Sequence, residues 1–176
     1  FRRFCGKSPV VLEIGVFGGG SLAMWRDYFG VDSQILGLDI NPACKKDETE
    51  GVEIFFGDQS DPITLSAIVE AYPNIDIVID DGSHLMKDMK ASFEFLYPKI
   101  SKNGCYLVED THTCYWSEYG GGLGKQTSFI EFAKGLVDHL NACHTRDELA
   151  VSDISKSTDS ISFYDSNWQA FITSGM

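Results

Sequence analysis

A chain of 176 residues with 43% hydrophobic and 12% aromatic content can bury the core of one domain, and a single domain over residues 1–176 is expected. No run is long enough for a membrane-spanning helix and no basic-then-apolar leader opens the chain, which points to a cytoplasmic protein without a membrane partner. A formal charge of -12 argues against nucleic acid and anionic lipid surfaces, since both reward basic patches, and favours neutral or cationic small molecules.

Strands and helices alternate along the chain with short connections, the pattern of a mostly parallel sheet covered on both faces. Val10 to Ile14 reads as strand one; Ser21 is the expected N-cap of a helix that runs to about Tyr28 and stops at Gly30. Gln34 to Leu38 gives strand two, closing on Asp39 and the stop Asn41-Pro42. Val52 to Phe56 gives strand three, ending in Gly57-Asp58-Gln59, and Asp61 caps a helix with Pro62 in its first turn that reaches Ala71. The apolar run Ile75 to Ile79 is strand four, followed by Asp80-Asp81-Gly82-Ser83-His84 and an amphipathic helix from about Lys87 to Leu96. Cys105 to Val108 is strand five, and after a glycine-rich loop a helix spans about Ser128 to Asn141. Ile161 to Tyr164 and Trp168 to Ile172 flank Asp165-Ser166-Asn167 and read as a terminal antiparallel hairpin.

The five cysteines, Cys5, Cys44, Cys105, Cys114 and Cys143, are odd in number and contain no C-x-x-C pair, so reduced thiols are expected.

The stretch Glu13-Ile14-Gly15-Val16-Phe17-Gly18-Gly19-Gly20-Ser21 places a carboxylate and a flexible loop at the end of a buried strand. A dinucleotide loop reads G-x-G-x-x-G and cradles pyrophosphate, which an acid at Glu13 would oppose. S-adenosylmethionine has no phosphate and carries a sulfonium and an ammonium, so it suits this loop better; the alternative is a tight turn that binds nothing. Asp39, at the end of strand two, is placed to accept from both ribose hydroxyls, and Asp58, at the end of strand three, from the adenine amino group. The expected cofactor-contact set is Glu13, Gly15, Gly18, Ser21, Asp39, Asp58 and Asp80.

Asp80, Asp81 and His84 at the tip of strand four face Glu109 and Asp110 at the tip of strand five. Carboxylates brought together hold protons or gather around a cation, and an oxygen-rich set suits magnesium or a similar hard divalent ion. Asp81, Glu109 and Asp110 are the favoured ligands and His84 the favoured general base; the alternative is a set of exposed turn acids pointing apart. Tyr115 and Trp116 either present a flat face to a ligand ring or serve as core or oligomer contacts, and a homo-oligomer stays open.

Val-Leu-Glu-Ile-Gly-Val-Phe-Gly-Gly-Gly-Ser (11 to 21), Gly-Leu-Asp-Ile (37 to 40), Ile-Asp-Asp-Gly-Ser-His (79 to 84), Val-Glu-Asp-Thr (108 to 111) and Phe-Tyr-Asp-Ser (163 to 166) together resemble the metal-dependent class I methyltransferases that act on macrolide sugars, the macrocin and mycinamicin O-methyltransferase family. The resemblance implies a Rossmann-like α/β fold with a mostly parallel seven-stranded sheet and a C-terminal antiparallel hairpin. It matches Asp81, Glu109 and Asp110 to the magnesium ligands and His84 to the catalytic base. It also implies a segment upstream of strand one that helps close the site, for which this chain shows no counterpart. The expected reaction is methyl transfer from S-adenosylmethionine to a hydroxyl of a sugar or glycosylated small molecule. Three rivals stand beside it: a non-catalytic S-adenosylmethionine-binding relative, a nicotinamide-dependent oxidoreductase on the same architecture, and a non-haem iron oxygenase using Asp110, His112 and a second histidine.

Overall fold

The computed structural model describes residues 1–141, 158–164 and 169–174. In chain order these form β1 (Val10–Ile14), α1 (Gly20–Phe29), β2 (Gln34–Asp39), β3 (Val52–Phe56), α2 (Pro62–Ala71), β4 (Ile77–Asp80), α3 (Met86–Leu96), β5 (Cys105–Val108), α4 (Phe129–Leu140), β6 (Thr158–Tyr164) and β7 (Gln169–Ser174). The sheet order is β3-β2-β1-β4-β5-β7-β6. Strands β1 to β5 are parallel, and the backbones of β7 and β6 continue the sheet beyond β5 in antiparallel pairing. Trp168 and the expected turn Asp165-Ser166-Asn167 lie outside the described residues, as does Cys143. Cys5, Cys44, Cys105 and Cys114 are free thiols, and no helix of the described residues is long and apolar enough to cross a membrane.

Side chains alternate between two cores because successive strand residues point to opposite faces. Leu12, Ile14, Leu36, Leu38, Val78, Tyr106 and Val108 pack under α2, α3 and α4. Val11, Ile35, Ile54, Ile77, Ile79 and Leu107 pack on the other face with Leu22 and Phe29 of α1. Both faces are covered, which is why the strands read as nearly continuous apolar runs.

Asp61 caps α2 by accepting from the backbone amides of Ile63 and Thr64, with Pro62 next to it, as the sequence indicates. Several boundaries differ, among them the last two strands, Thr158–Tyr164 and Gln169–Ser174 against the expected Ile161 to Tyr164 and Trp168 to Ile172. The N-cap of α1 is Gly19 in a left-handed conformation, and Ser21 lies inside the first turn. β4 begins at Ile77 and not at Ile75, whose carbonyl accepts from Ser101 N outside the strand ladder. Short 3-10 turns, Pro42–Asp47 after β2 and Thr111–Tyr115 after β5, complete the connections at the strand tips. Strand order reverses between β1 and β4, and open α/β sheets of this kind bind ligands in the crevice outside the carboxyl ends at such a point.

Candidate active site

The crevice is a cavity of about 390 Å³ whose walls include Gly15 after β1, Asp39 at the end of β2, Asp58 and Gln59 after β3, and Gly82 after β4. Gly15 has φ +94°, and a Cβ there would stand 2.1 Å from the Asp81 carbonyl oxygen. Only glycine lets the β1 and β4 tips approach so closely. Asp39 organises the loop that follows: Oδ2 accepts from Val16 N at 2.8 Å and Phe17 N at 3.0 Å, while Oδ1 accepts from Asn41 N at 2.8 Å. Partial burial pushes its pKa up, but these three amides together outweigh burial and hold the carboxyl below the ordinary carboxylate range. Asp39 therefore enters the crevice as an anion already engaged with the glycine loop.

Of the other expected cofactor contacts, Asp58 stands exposed on the cavity wall, with Oδ1 accepting from Ser60 N at 2.7 Å and Ser60 Oγ at 2.8 Å. Gly18 has open space around its α-carbon. Glu13 is 2% exposed and turns away from the crevice toward α1, where it accepts from Ser21 Oγ and Trp25 Nε1. Ser21 thus serves a buried carboxylate instead of capping the helix, since an acid without donors in that position is far more costly than a missing cap. Asp80 is likewise turned into the core: it is 1% exposed and accepts from Gln59 Nε2 at 3.1 Å, Ser92 Oγ at 2.6 Å and Tyr106 OH at 2.9 Å. Burial raises its pKa despite these donors. Glu13, Ser21 and Asp80 are thus engaged with partners inside the protein.

Asp81, His84 and Asp110 converge, each offering a ligand atom within 4.8 Å of the other two. His84 Nε2 lies 3.8 Å from Asp81 Oδ1 and 3.9 Å from Asp110 Oδ2. Burial first, then the charges of Asp110 and Asp80, push the Asp81 carboxyl up to about 6, the condition that a cation relieves. His84 and Asp110 adopt left-handed backbone at φ 55° and 49°, an uncommon conformation for non-glycine residues that here aims both side chains at one point. Glu109, the expected third oxygen ligand, is not in this convergent set; its charge acts on Glu13 below. His112 Nδ1 is 3.8 Å from Asp110 Oδ1 but is also outside the set, so among the described residues two histidines and one carboxylate are not gathered as an iron oxygenase requires. Tyr119 meets the His84 ring edge-on at 6.3 Å, and Trp116 sits 4.7 Å from the His112 ring; Tyr115 and Trp116 are both exposed.

Sequence reasoning passed over Gln59. Its Nε2 donates to Asp80 and its Oε1 accepts from Ser83 N at 2.7 Å, so it ties the β3 tip to the loop bearing Asp81 and His84. Ser83 Oγ then donates to Asp88 Oδ2 at 2.9 Å, anchoring that loop to α3. The signal was the polar residue beside Asp58 at a strand tip, overshadowed by the acid next to it.

No family model matches the chain. It is 38% identical over 151 residues to the demethylmacrocin O-methyltransferase of Streptomyces fradiae, covering 80% of this chain and 38% of that protein. It is 38% identical over 150 residues to the mycinamicin VI 2''-O-methyltransferase of Micromonospora griseorubida, covering 80% of this chain and 37% of that one. Among solved structures, the MycE methyltransferase of the mycinamycin biosynthetic pathway, in complex with Mg and SAH, superposes with a TM-score of 0.93 at 32% identity, over 99% of this chain and 46% of that one. The fold is that of the class I methyltransferases, and the resemblance to the macrocin and mycinamicin enzymes holds in both sequence and structure. The chain spans about two fifths of the length of these curated relatives.

Proposed function

We propose that this chain, with its class I methyltransferase fold and its likeness to sugar O-methyltransferases, is an S-adenosylmethionine-dependent, magnesium-assisted O-methyltransferase acting on a hydroxyl of a sugar or glycosylated small molecule. The observation that carries the reading is the convergence of Asp81, His84 and Asp110 at the tips of β4 and β5, beside the crevice where the sheet order reverses. We read β6 and β7 as the closing hairpin of a seven-stranded sheet, and the protein as cytoplasmic.

When bound, S-adenosylmethionine supplies a methyl group on a sulfonium whose departure leaves a neutral thioether, and magnesium lowers the pKa of an acceptor hydroxyl. Asp81 and Asp110 are the residues that would hold the ion. Gly15 permits close backbone approach to the cofactor, and Asp39 and Asp58 present acceptors to its ribose and adenine. His84 takes the hydroxyl proton at Nε2. The imidazolium so formed lies within 4 Å of two carboxylates, which favour it. Fixed geometry and preset charges perform most of the work, because the acceptor and the base are held in place before the proton moves.

Chelation tests the metal. With the ion removed, turnover is expected to vanish and to return on adding magnesium, while S-adenosylhomocysteine still binds, because Asp39 and Asp58 line the crevice and Asp81 and Asp110 do not. Full turnover in excess chelator would remove the ion from the mechanism.

A further inference from the structure

A second and larger cavity, of about 580 Å³, adjoins the crevice, and its charge runs against that of the molecule. Lys87, Lys90 and Lys125 line it and no acid does, in a chain where 26 acidic residues outnumber 14 lysines and arginines. Leu85 and Lys87 belong to both cavities, so the two share a wall. Tyr119, also in the lining, is the residue whose ring meets His84. The larger cavity thus shares lining residues with the crevice and includes the residue in ring contact with the proposed base, the surroundings an acceptor requires.

Two of the lysines have loose acidic neighbours and the third has none among the described residues. Lys87 is 3.8 Å from Asp88 Oδ1 and Lys90 is 3.7 Å from Glu94 Oε1, both beyond hydrogen-bond length, and Lys125 forms no ion pair among the described residues. Lys90 also stands 5.3 Å from the centre of the Phe132 ring, so an apolar face and a cation occur together on one wall. A whole-molecule charge of -12 is screened beyond about 8 Å at physiological ionic strength, whereas groups lining a cavity act on its occupant directly.

We propose that this cavity is the acceptor subsite and that the acceptor carries an oxyanion, a carboxylate or a phosphate, in addition to the sugar hydroxyl that is methylated. The inference rests on the methyltransferase reading above. The ring of the acceptor packs against Tyr119 and Phe132 while its anionic group meets the three lysines.

Calorimetry on the full chain with magnesium and S-adenosylhomocysteine present compares three probes: methyl β-D-glucopyranoside, methyl β-D-glucuronide and uridine diphosphate glucose. At least one anionic probe is expected to bind tenfold or more tighter than the neutral glucoside. Preference for the glucuronide identifies a carboxylate, and preference for the nucleotide sugar identifies a phosphate. In the double variant Lys90→Glu, Lys125→Glu that preference is expected to disappear while S-adenosylhomocysteine affinity stays the same. No binding of either anionic probe, equal or tighter binding of the neutral glucoside, or a preference that survives in the double variant overturns the proposal. Loss of S-adenosylhomocysteine binding in the wild type would instead refute the methyltransferase reading itself.

Discussion

Glu13 shows how the position of one carboxylate decides its role. Burial first, and then the charges of Asp81 and Glu109, raise its pKa from 4.5 to about 7, while Ser21 and Trp25 pull it down. Between those two values the folded state keeps a proton that the unfolded chain releases, so stability falls as pH rises through that window and the full penalty is present above it. Glu13→Gln removes the titration yet can still accept from Trp25 and donate to Ser21. From pH 5 to pH 8, with metal chelated, the variant is expected to gain on the order of 1–3 kcal/mol relative to wild type, read from urea midpoints. Parallel pH profiles for the two proteins would show that Glu13 does not titrate in this range. The sequence held the clue to its orientation: Glu13 shares a strand face with Val11, which packs on the α1 side, so it had to point at Trp25 and not into the crevice. Asp80 follows the same parity, sharing a face with Val78 above Tyr106 and α3. His84 is the opposite case, legible from its neighbours in the loop. His84→Ala is expected to lower turnover by about 10²–10⁴ with magnesium and S-adenosylhomocysteine affinities unchanged. A parallel loss of magnesium affinity would make His84 a ligand, an assignment its distances to Asp81 and Asp110 also permit.

At the scale of elements, apolar runs bounded by turn residues placed β1, β3, α2 and β5 where the structure has them, because burial on both faces and Asp61-Pro62 leave little choice. The 3-10 turns at the strand tips were not read, since segments this short carry no hydrophobic period. One of them matters for chemistry: Asp110 precedes Thr111–Tyr115 in left-handed conformation, and Thr113 Oγ1 donates to its carbonyl at 2.8 Å, fixing the turn that aims it at Asp81. The glycine loop also divides by geometry. Gly15 combines positive φ with a carbonyl in its Cβ position, whereas Gly18 has nothing within 4 Å. Gly15→Ala is expected to destabilise the fold by more than about 1–3 kcal/mol and to abolish S-adenosylhomocysteine binding, because the β1 and β4 tips must part. Gly18→Ala is expected to change thermal stability and binding little. Equal effects of the two substitutions would contradict the assignment of Gly15 as the close-approach position.

For the molecule as a whole, the sheet reversal between β1 and β4 sets the crevice, and the neighbouring tips of β4 and β5 set the carboxylate–histidine cluster, so the proposed sites for cofactor, ion and base share one edge of the sheet. Net charge does not reveal its distribution: three lysines line the larger cavity while Asp39, Asp58 and Asp88 line the crevice, which is why neutral or cationic ligands are favoured from sequence and the anionic acceptor is proposed only from the lining of the larger cavity. On the proposed function, the crevice holds S-adenosylmethionine by way of Asp39 and the glycine loop. Asp39 engages Val16, Phe17 and Asn41, and charge-assisted hydrogen bonds of this kind contribute roughly 1.5–3 kcal/mol each. Calorimetric titration with S-adenosylhomocysteine therefore tests the account most directly. Saturable binding to the wild type, weakened more than tenfold in Asp39→Ala, with no heat from a nicotinamide dinucleotide, is the expected result; silence with S-adenosylhomocysteine alongside clear binding of the dinucleotide would contradict it.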